Sequence, residues 1–203
     1  MIGPHDLLEP VRSDRVRCEA APDWVARALA EAPLVVVRRA PAAAGLPVGI
    51  RGDGRNQRCA GWLAPGDVLR RIRPEDLSAR RAWREAARAA RFPHFAAMER
   101  IDAWMRAAGL VWGPVGGAGF ELASGRACLN AASDLDLIIR TGPAPRPDAA
   151  RELLARFQGL PVRVDALLET PLGGVALAEF AAGPPRIALR TPDGPRLVAN
   201  PWP

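Results

Sequence analysis

The chain has 203 residues, 49% of them hydrophobic, and 28 basic against 22 acidic side chains leave a net charge of +6. That length and composition exclude a disordered chain and allow one large domain or two small ones with a real core. Every basic residue is arginine; a guanidinium grips phosphate with paired hydrogen bonds, but coding bias favours the same residue, so +6 selects no partner.

The first elements are short. "DWVARALAEA" (residues 23–32) reads as a helix with Asp23 as N-cap, and "PLVVVRRA" (33–40) as a strand. "VGIRG" gives a brief strand, "DGRNQR" a polar turn and "CAGWL" the returning strand, while "VLRRIRPEDL" shows no clear period. Residues 1–77 are therefore expected to form a small N-terminal α+β domain. Residues 78–108 carry the longest helical signal, with Ser78 as cap, Gly109 as stop and Pro93 as a break or kink. Phe95, Met98, Ile101, Asp102 and Met105 recur at helical spacing and are expected to face a core. Arg80, Arg81, Arg84, Arg88 and Arg91 form a basic side of the first piece.

Beyond Gly109 the texture changes to glycine turns and short apolar runs. The spacing predicts a strand at "GFELAS", a turn near Gly125, a strand at "SDLDLIIR" and a helix at "DAARELLARFQ". An alternating strand "LPVRVDALLE", a helix starting near Gly173 and a hairpin of "RIALRT" with "RLVAN" follow. Residues 78–203 are expected to form the second domain.

"MIGPHDLLEP" has neither the basic nor the apolar region of a secretion signal, and no run of 18 apolar residues is present to span a membrane. Cys18, Cys59 and Cys128 are odd in number and widely spaced, which fits a reducing cytoplasm. His5 and His94 are the only histidines and there is no tyrosine. HExxH zinc chemistry is excluded, and histidine-activated nucleophiles are disfavoured. Carboxylates, arginines and backbone amides must carry any catalysis.

The stretch "SDLDLIIR" (133–140) places Asp134 and Asp136 at the mouth of an apolar strand. Side chains at i and i+2 of a strand share a face, roughly 6.5–7 Å apart. Two bare carboxylates there repel, and burying them without a partner costs several kcal/mol. A Mg²⁺ ion cures both problems, since it takes carboxylate oxygens and keeps sites for water and phosphates. Upstream, "GPVGGAG" offers backbone N–H groups to a polyphosphate, although no GK[ST] follows to make a Walker loop. Downstream, Asp165 sits in the alternating "VRVDALL", and Ser133 can donate to a phosphate or to the neighbouring carboxylate.

In this order the segments resemble the nucleotidyltransferase superfamily of DNA polymerase beta, with its Gly-Gly or Gly-Ser turn, h-D-h-[DE]-h strand and third acid. The glycine-to-aspartate spacing is longer than usual, which points to a hairpin strand after the glycines instead of a helix. "WGPVGGAGFELASG", "SDLDLIIR", "ETPLGGVALAEF" and "PVGIRGDGRNQRCAGWL" together resemble, along the whole chain, the malonate decarboxylase holo-acyl-carrier-protein synthases, also called phosphoribosyl-dephospho-CoA transferases. Gly117 stands where that family often has serine. The resemblance implies an α+β fold: a polymerase-beta-like nucleotidyltransferase domain with a mixed sheet and flanking helices, plus the small N-terminal α+β domain.

It further implies transfer of a triphosphoribosyl-dephospho-CoA group to a serine of the malonate decarboxylase acyl-carrier protein, with loss of pyrophosphate. Two Mg²⁺ ions would be held by Asp134, Asp136 and Asp165, the catalytic acids. Gly116, Gly117 and Ser133 would meet the substrate, as would Arg51, Arg55 and Arg58 of the first-half loop, and the arginines around position 84 would steer an acidic carrier. Two alternatives stay open: the same acids serving another hydroxyl acceptor, or a non-catalytic nucleic-acid binder. Against the second stand the absence of a helix-turn-helix signature and an aromatic content of 5%.

Overall fold

β-Branched and apolar runs between glycine and proline turns favour strands in the first third of the chain. The computed structural model describes residues 1–42, 44–54 and 56–203, and the chain divides into two compact units, Met1–Arg73 and Pro74–Pro203. In the first unit β1 (Leu7–Pro10), β2 (Val35–Val37), β3 (Leu46–Arg51), β4 (Arg58–Leu63) and β5 (Val68–Ile72) form one sheet in the order β4-β3-β2-β1-β5. All its pairings are antiparallel. α1 (Trp24–Glu31) buries Val25, Ala28 and Leu29 against Leu8, Val35, Val48, Ile50 and Leu63. Asp23 precedes α1 as expected but makes no side-chain cap bond. β1 and β5 went unanticipated, because strands of four and five residues are too short to display a period.

The second unit contains α2 (Pro74–Ala79), α3 (Pro93–Ala107), β6 (Val111–Pro114), α4 (Gly116–Ser124), β7 (Leu135–Arg140) and α5 (Pro147–Gln158). After these come β8 (Val164–Thr170), β9 (Gly173–Ala176), α6 (Leu177–Ala182), β10 (Ile187–Thr191) and β11 (Gly194–Val198). Its six-stranded sheet runs β11-β10-β9-β8-β7-β6. β7 and β8 are parallel and the other pairs antiparallel, so the sheet is mixed, and α5 is the crossover that a parallel pair requires. The architecture is α+β, a mixed sheet with flanking helices. Leu135, Leu137 and Ile139 of β7 join Met98, Ile101 and Met105 of α3, Phe157 of α5 and Leu177 of α6 in the core. Full burial of each such side chain stabilises by about 1.5–3 kcal/mol. Among the described residues no helix is long and apolar enough to cross a membrane.

Three expected elements differ from those observed. The long helix over 78–108 is α2 and α3 with two 3₁₀ turns between them, at Ala82–Arg84 and Ala89–Arg91. Ser78 caps nothing; it is buried inside α2 and donates to the carbonyls of Glu75 and Trp112. The arginine-alanine segment has good helix propensity, but opposite charges on α3 and α4 outweigh it. Arg81 takes a left-handed conformation (φ 51°) and binds buried Asp102 at 2.8 Å, Arg84 pairs with Glu99, and Arg88 pairs with Glu121. These arginines are spent on structure and do not form a free basic stripe. "GFELAS" is not a strand but lies in α4, and the helix expected from Gly173 begins only at Leu177, after β9.

Candidate active site

The glycines at 116 and 117 open a helix. Val115 is extended and donates its N–H to the Asp136 carbonyl at 2.9 Å; Gly116 then turns through φ +57° into α4. Only a residue without Cβ enters that region freely. Gly119, one turn on, lies so close to β6 that a Cβ there would come 2.5 Å from the Pro114 carbonyl oxygen. The glycines that looked like a turn are thus the contacts that let a helix start against the sheet. Val115, at the N-cap of α4, supplies no side-chain bond to the first turn, where the backbone amides carry the positive end of the helix dipole.

Asp136 lies against that turn. A Cβ on Gly116 would fall 1.9 Å from its Oδ2. Asp136 belongs to the face of β7 opposite Leu135, Leu137 and Ile139, the face that farther along carries Arg140 in an ion pair with Glu75 of α2. On the parallel neighbour β8, Asp165 is in register with Asp136, and strands so paired run about 4.8 Å apart with side chains on a common face. Asp134 stands immediately ahead of β7, two residues before Asp136, and keeps a third of its side chain exposed. Its Oδ2 is 3.7 Å from Nη1 of exposed Arg163, a contact that contributes little at such exposure. The three acids therefore sit at one end of the parallel pair.

Among the described residues no group of three His, Cys, Asp or Glu side chains is gathered tightly enough to enclose a metal ion. Mg²⁺ does not require one: it takes one or two carboxylates and completes its shell with water and substrate phosphates. Asp134 and Asp136 are a donor pair of that chemistry.

The other expected substrate residues are placed unevenly. The Ser133 hydroxyl accepts the Asn130 N–H at 3.0 Å and so closes a turn ahead of Asp134. Arg51 ends β3 in the first unit, opposite Arg58 across the antiparallel ladder. Arg58 donates to the carbonyls of Gly54 and Gln57, which fastens the hairpin's own loop. Arg55 lies outside the described residues.

Two residues not anticipated from sequence fix the approach to the acids. Residues 126–133 have no helix or strand, yet Glu121 of α4 accepts the N–H groups of Cys128 and Leu129 at 2.7 and 2.9 Å. The same carboxylate receives two hydrogen bonds from Arg88, which also donates to the Leu129 carbonyl. His94, wholly buried at the start of α3, places Nε2 2.7 Å from the Ser133 carbonyl oxygen. Glu121 lies within the quoted "WGPVGGAGFELASG", but neither it nor His94 stood out there, because the backbone groups each one meets lie elsewhere along the chain. A cavity of about 400 Å³ lined by Trp104, Leu110, Leu153, Leu168 and Leu177 opens beside the core, on the face of the sheet away from Asp136.

The Gly116 contact yields a direct test. Gly116→Ala is expected to abolish activity and lower the melting temperature, because the methyl group enters the Asp136 carboxylate and the left-handed conformation costs about 1 kcal/mol more. Gly125→Ala, equally left-handed but with open space around it, is expected to lose stability alone. Thermal melts beside activity assays separate the two.

No solved structure matches the chain. The family described as "Phosphoribosyl-dephospho-CoA transferase MdcG C-terminal domain" matches residues 76–201, and its N-terminal counterpart matches residues 3–74. The chain is 47% identical over 201 residues to the phosphoribosyl-dephospho-CoA transferase of Pseudomonas aeruginosa, covering 98% of this chain and 93% of that one. It is 45% identical over 203 residues to that of Azotobacter vinelandii, with the same coverage, and 42% identical over 205 residues to that of Pseudomonas putida, covering 98% and 94%. With both of its parts matched in order and so much identity along its length, the chain belongs to the phosphoribosyl-dephospho-CoA transferase family.

Proposed function

We propose that this enzyme transfers the 2′-(5″-triphosphoribosyl)-3′-dephospho-CoA group to a serine of the acyl-carrier subunit of malonate decarboxylase. The serine oxygen attacks the α-phosphorus, a P–O bond forms as the bond to pyrophosphate breaks, and the hydroxyl proton leaves to solvent. A phosphodiester remains on the carrier. Asp134 and Asp136, with Asp165 beside them, would hold Mg²⁺. Bound there, the ion would supply positive charge to the phosphoryl oxygens. Asp136 is kept in place by its strand and by the close approach of Gly116. The first-turn amides of α4, at Gly116 and Gly117, suit the leaving pyrophosphate, since helix N-termini bind phosphate through N–H groups and dipole together.

The single observation behind this assignment is the register of Asp136 with Asp165 across a parallel pair, at the end beside the first turn of α4. Arg51 supplies the first unit with a guanidinium suited to an anionic substrate. Three free cysteines support a cytoplasmic setting.

Intact-mass measurement of the apo carrier protein, incubated with this enzyme, Mg²⁺ and the CoA-derived triphosphate, tests the proposal. The carrier should gain the mass of the group while pyrophosphate is released. A carrier left unmodified by active, folded enzyme, or modified equally well with ATP as donor, would refute the assigned substrate.

A further inference from the structure

We propose that His94 is a positioning residue for the acid pair: its buried imidazole holds the backbone that delivers Asp134 to the ion. The idea rests on the reading that Asp134 and Asp136 bind the metal. Asp134 lies outside β7, which begins at Leu135. On its C-terminal side the chain is fixed at once, because Leu135 donates its N–H to the Arg163 carbonyl at 2.8 Å. On its N-terminal side stands a segment without helix or strand. Glu121 and Arg88 fix that segment at Cys128 and Leu129, several residues short of the acid. The turn from Asn130 to Ser133 closes only on itself, through Ser133 N–H to the Asn130 carbonyl and Asn130 N–H to the Ser133 hydroxyl. Among the described residues, the side-chain hydrogen bond that reaches the peptide before Asp134 from another element is that from His94 Nε2 to the Ser133 carbonyl oxygen, at 2.7 Å.

The chemistry of that bond sets the form of the ring. A carbonyl only accepts, so Nε2 carries the proton. The other ring nitrogen, Nδ1, is buried and has no hydrogen-bond partner among the described residues. Leaving a buried polar atom unpaired is costly, and a residue serving only to fill the core would do better as leucine or phenylalanine. The imidazole is retained here with one nitrogen in use and one idle, and the nitrogen in use is the one that reaches the acid's peptide. Pro93 presets the first turn of α3, and His94 is the next residue, so the ring is carried by a rigid helix start. Partners of this kind, one step removed from a metal ligand, typically alter metal affinity or activity by about 10- to 100-fold when removed.

The test uses Mn²⁺ binding to the full-length enzyme, read from the electron paramagnetic resonance signal of the free ion, alongside kinetics. His94→Leu removes the donor; His94→Gln keeps an N–H at similar reach. His94→Leu is expected to weaken Mn²⁺ binding by about 10- to 100-fold and lower kcat with little change in KM for the CoA-derived substrate, and His94→Gln to regain most of both. ¹⁵N chemical shifts of the wild-type ring give a reading that needs no variant, and they should report the Nε2–H tautomer at neutral pH. Equal Mn²⁺ binding by folded His94→Leu and wild type, no recovery in His94→Gln, or an Nδ1–H tautomer overturns the positioning role alone. Wild-type enzyme that binds no Mn²⁺, or Asp136→Asn that binds it as wild type does, overturns the acid assignment and this role with it.

Discussion

Asp136→Asn is expected to slow carrier modification by about 10²–10³-fold, the usual loss when one charge aligned with a phosphoryl or oxyanion centre is removed. Asparagine has the same shape, so the contact with Gly116 is kept and the melting temperature should stay within about 2 °C of wild type. Charge repulsion among Asp134, Asp136 and Asp165 is relieved, which offsets part of any lost interaction. Asp134→Asn should act in the same direction, and its contact with exposed Arg163 is too long and too solvated for its loss to disturb the fold. Pyrophosphate release, followed continuously, and scanning calorimetry on the same samples separate loss of chemistry from loss of structure. An Asp136→Asn enzyme working within threefold of wild type would remove Asp136 from the reaction.

Glu121→Ala should be strongly destabilising, at about 3 kcal/mol, or roughly 10 °C in melting temperature. The carboxylate is 5% exposed and accepts four hydrogen bonds. Its loss leaves Arg88, only a quarter exposed, without its anion, and strips partners from the Cys128 and Leu129 amides. Activity should fall as well, because the segment leading to Asp134 loses its first anchor. The same carboxylate sets an acid limit. Burial alone would push its pKa up, but the bonds from Arg88 and the two amides outweigh burial and hold it below the ordinary value. A folded pKa below the unfolded one stabilises the protein above the unfolded value, about 4.3, and that contribution is lost as pH falls through the folded value. Wild-type melting temperature should therefore drop as pH falls below about 4.3, and Glu121→Gln, already lacking the charge, should lose less over that range. Melting curves at stepped pH for both proteins provide the comparison.

The strand that carries Asp136 was legible because Leu137, Ile138 and Ile139 form an apolar run, and β8 was legible from the alternation around Asp165. The helix at 116–124 was not, because Gly116, Gly117 and Gly119 lower helix propensity and resemble a turn; what favours the helix is close approach to Asp136 and Pro114, which no local window contains. The segment at 80–91 erred in the opposite sense. Its alanines and arginines favour a helix, and the acids that pull it apart lie on α3 and α4, far along the chain. His94 and Glu121 escaped notice for one reason: each is a single polar residue whose importance comes from backbone groups it meets only after folding.

The lone parallel pairing in the second sheet has a kinetic side. Hairpins such as β10–β11 close through a few residues, whereas β7 and β8 meet only after α5 has been laid across the sheet. Contacts of long sequence separation form late, since chain closure must precede any gain from them. In refolding, Asp136 and Asp165 are expected to meet only after that crossover is in place, so activity should return behind helical content, a lag that stopped-flow circular dichroism beside activity recovery would measure.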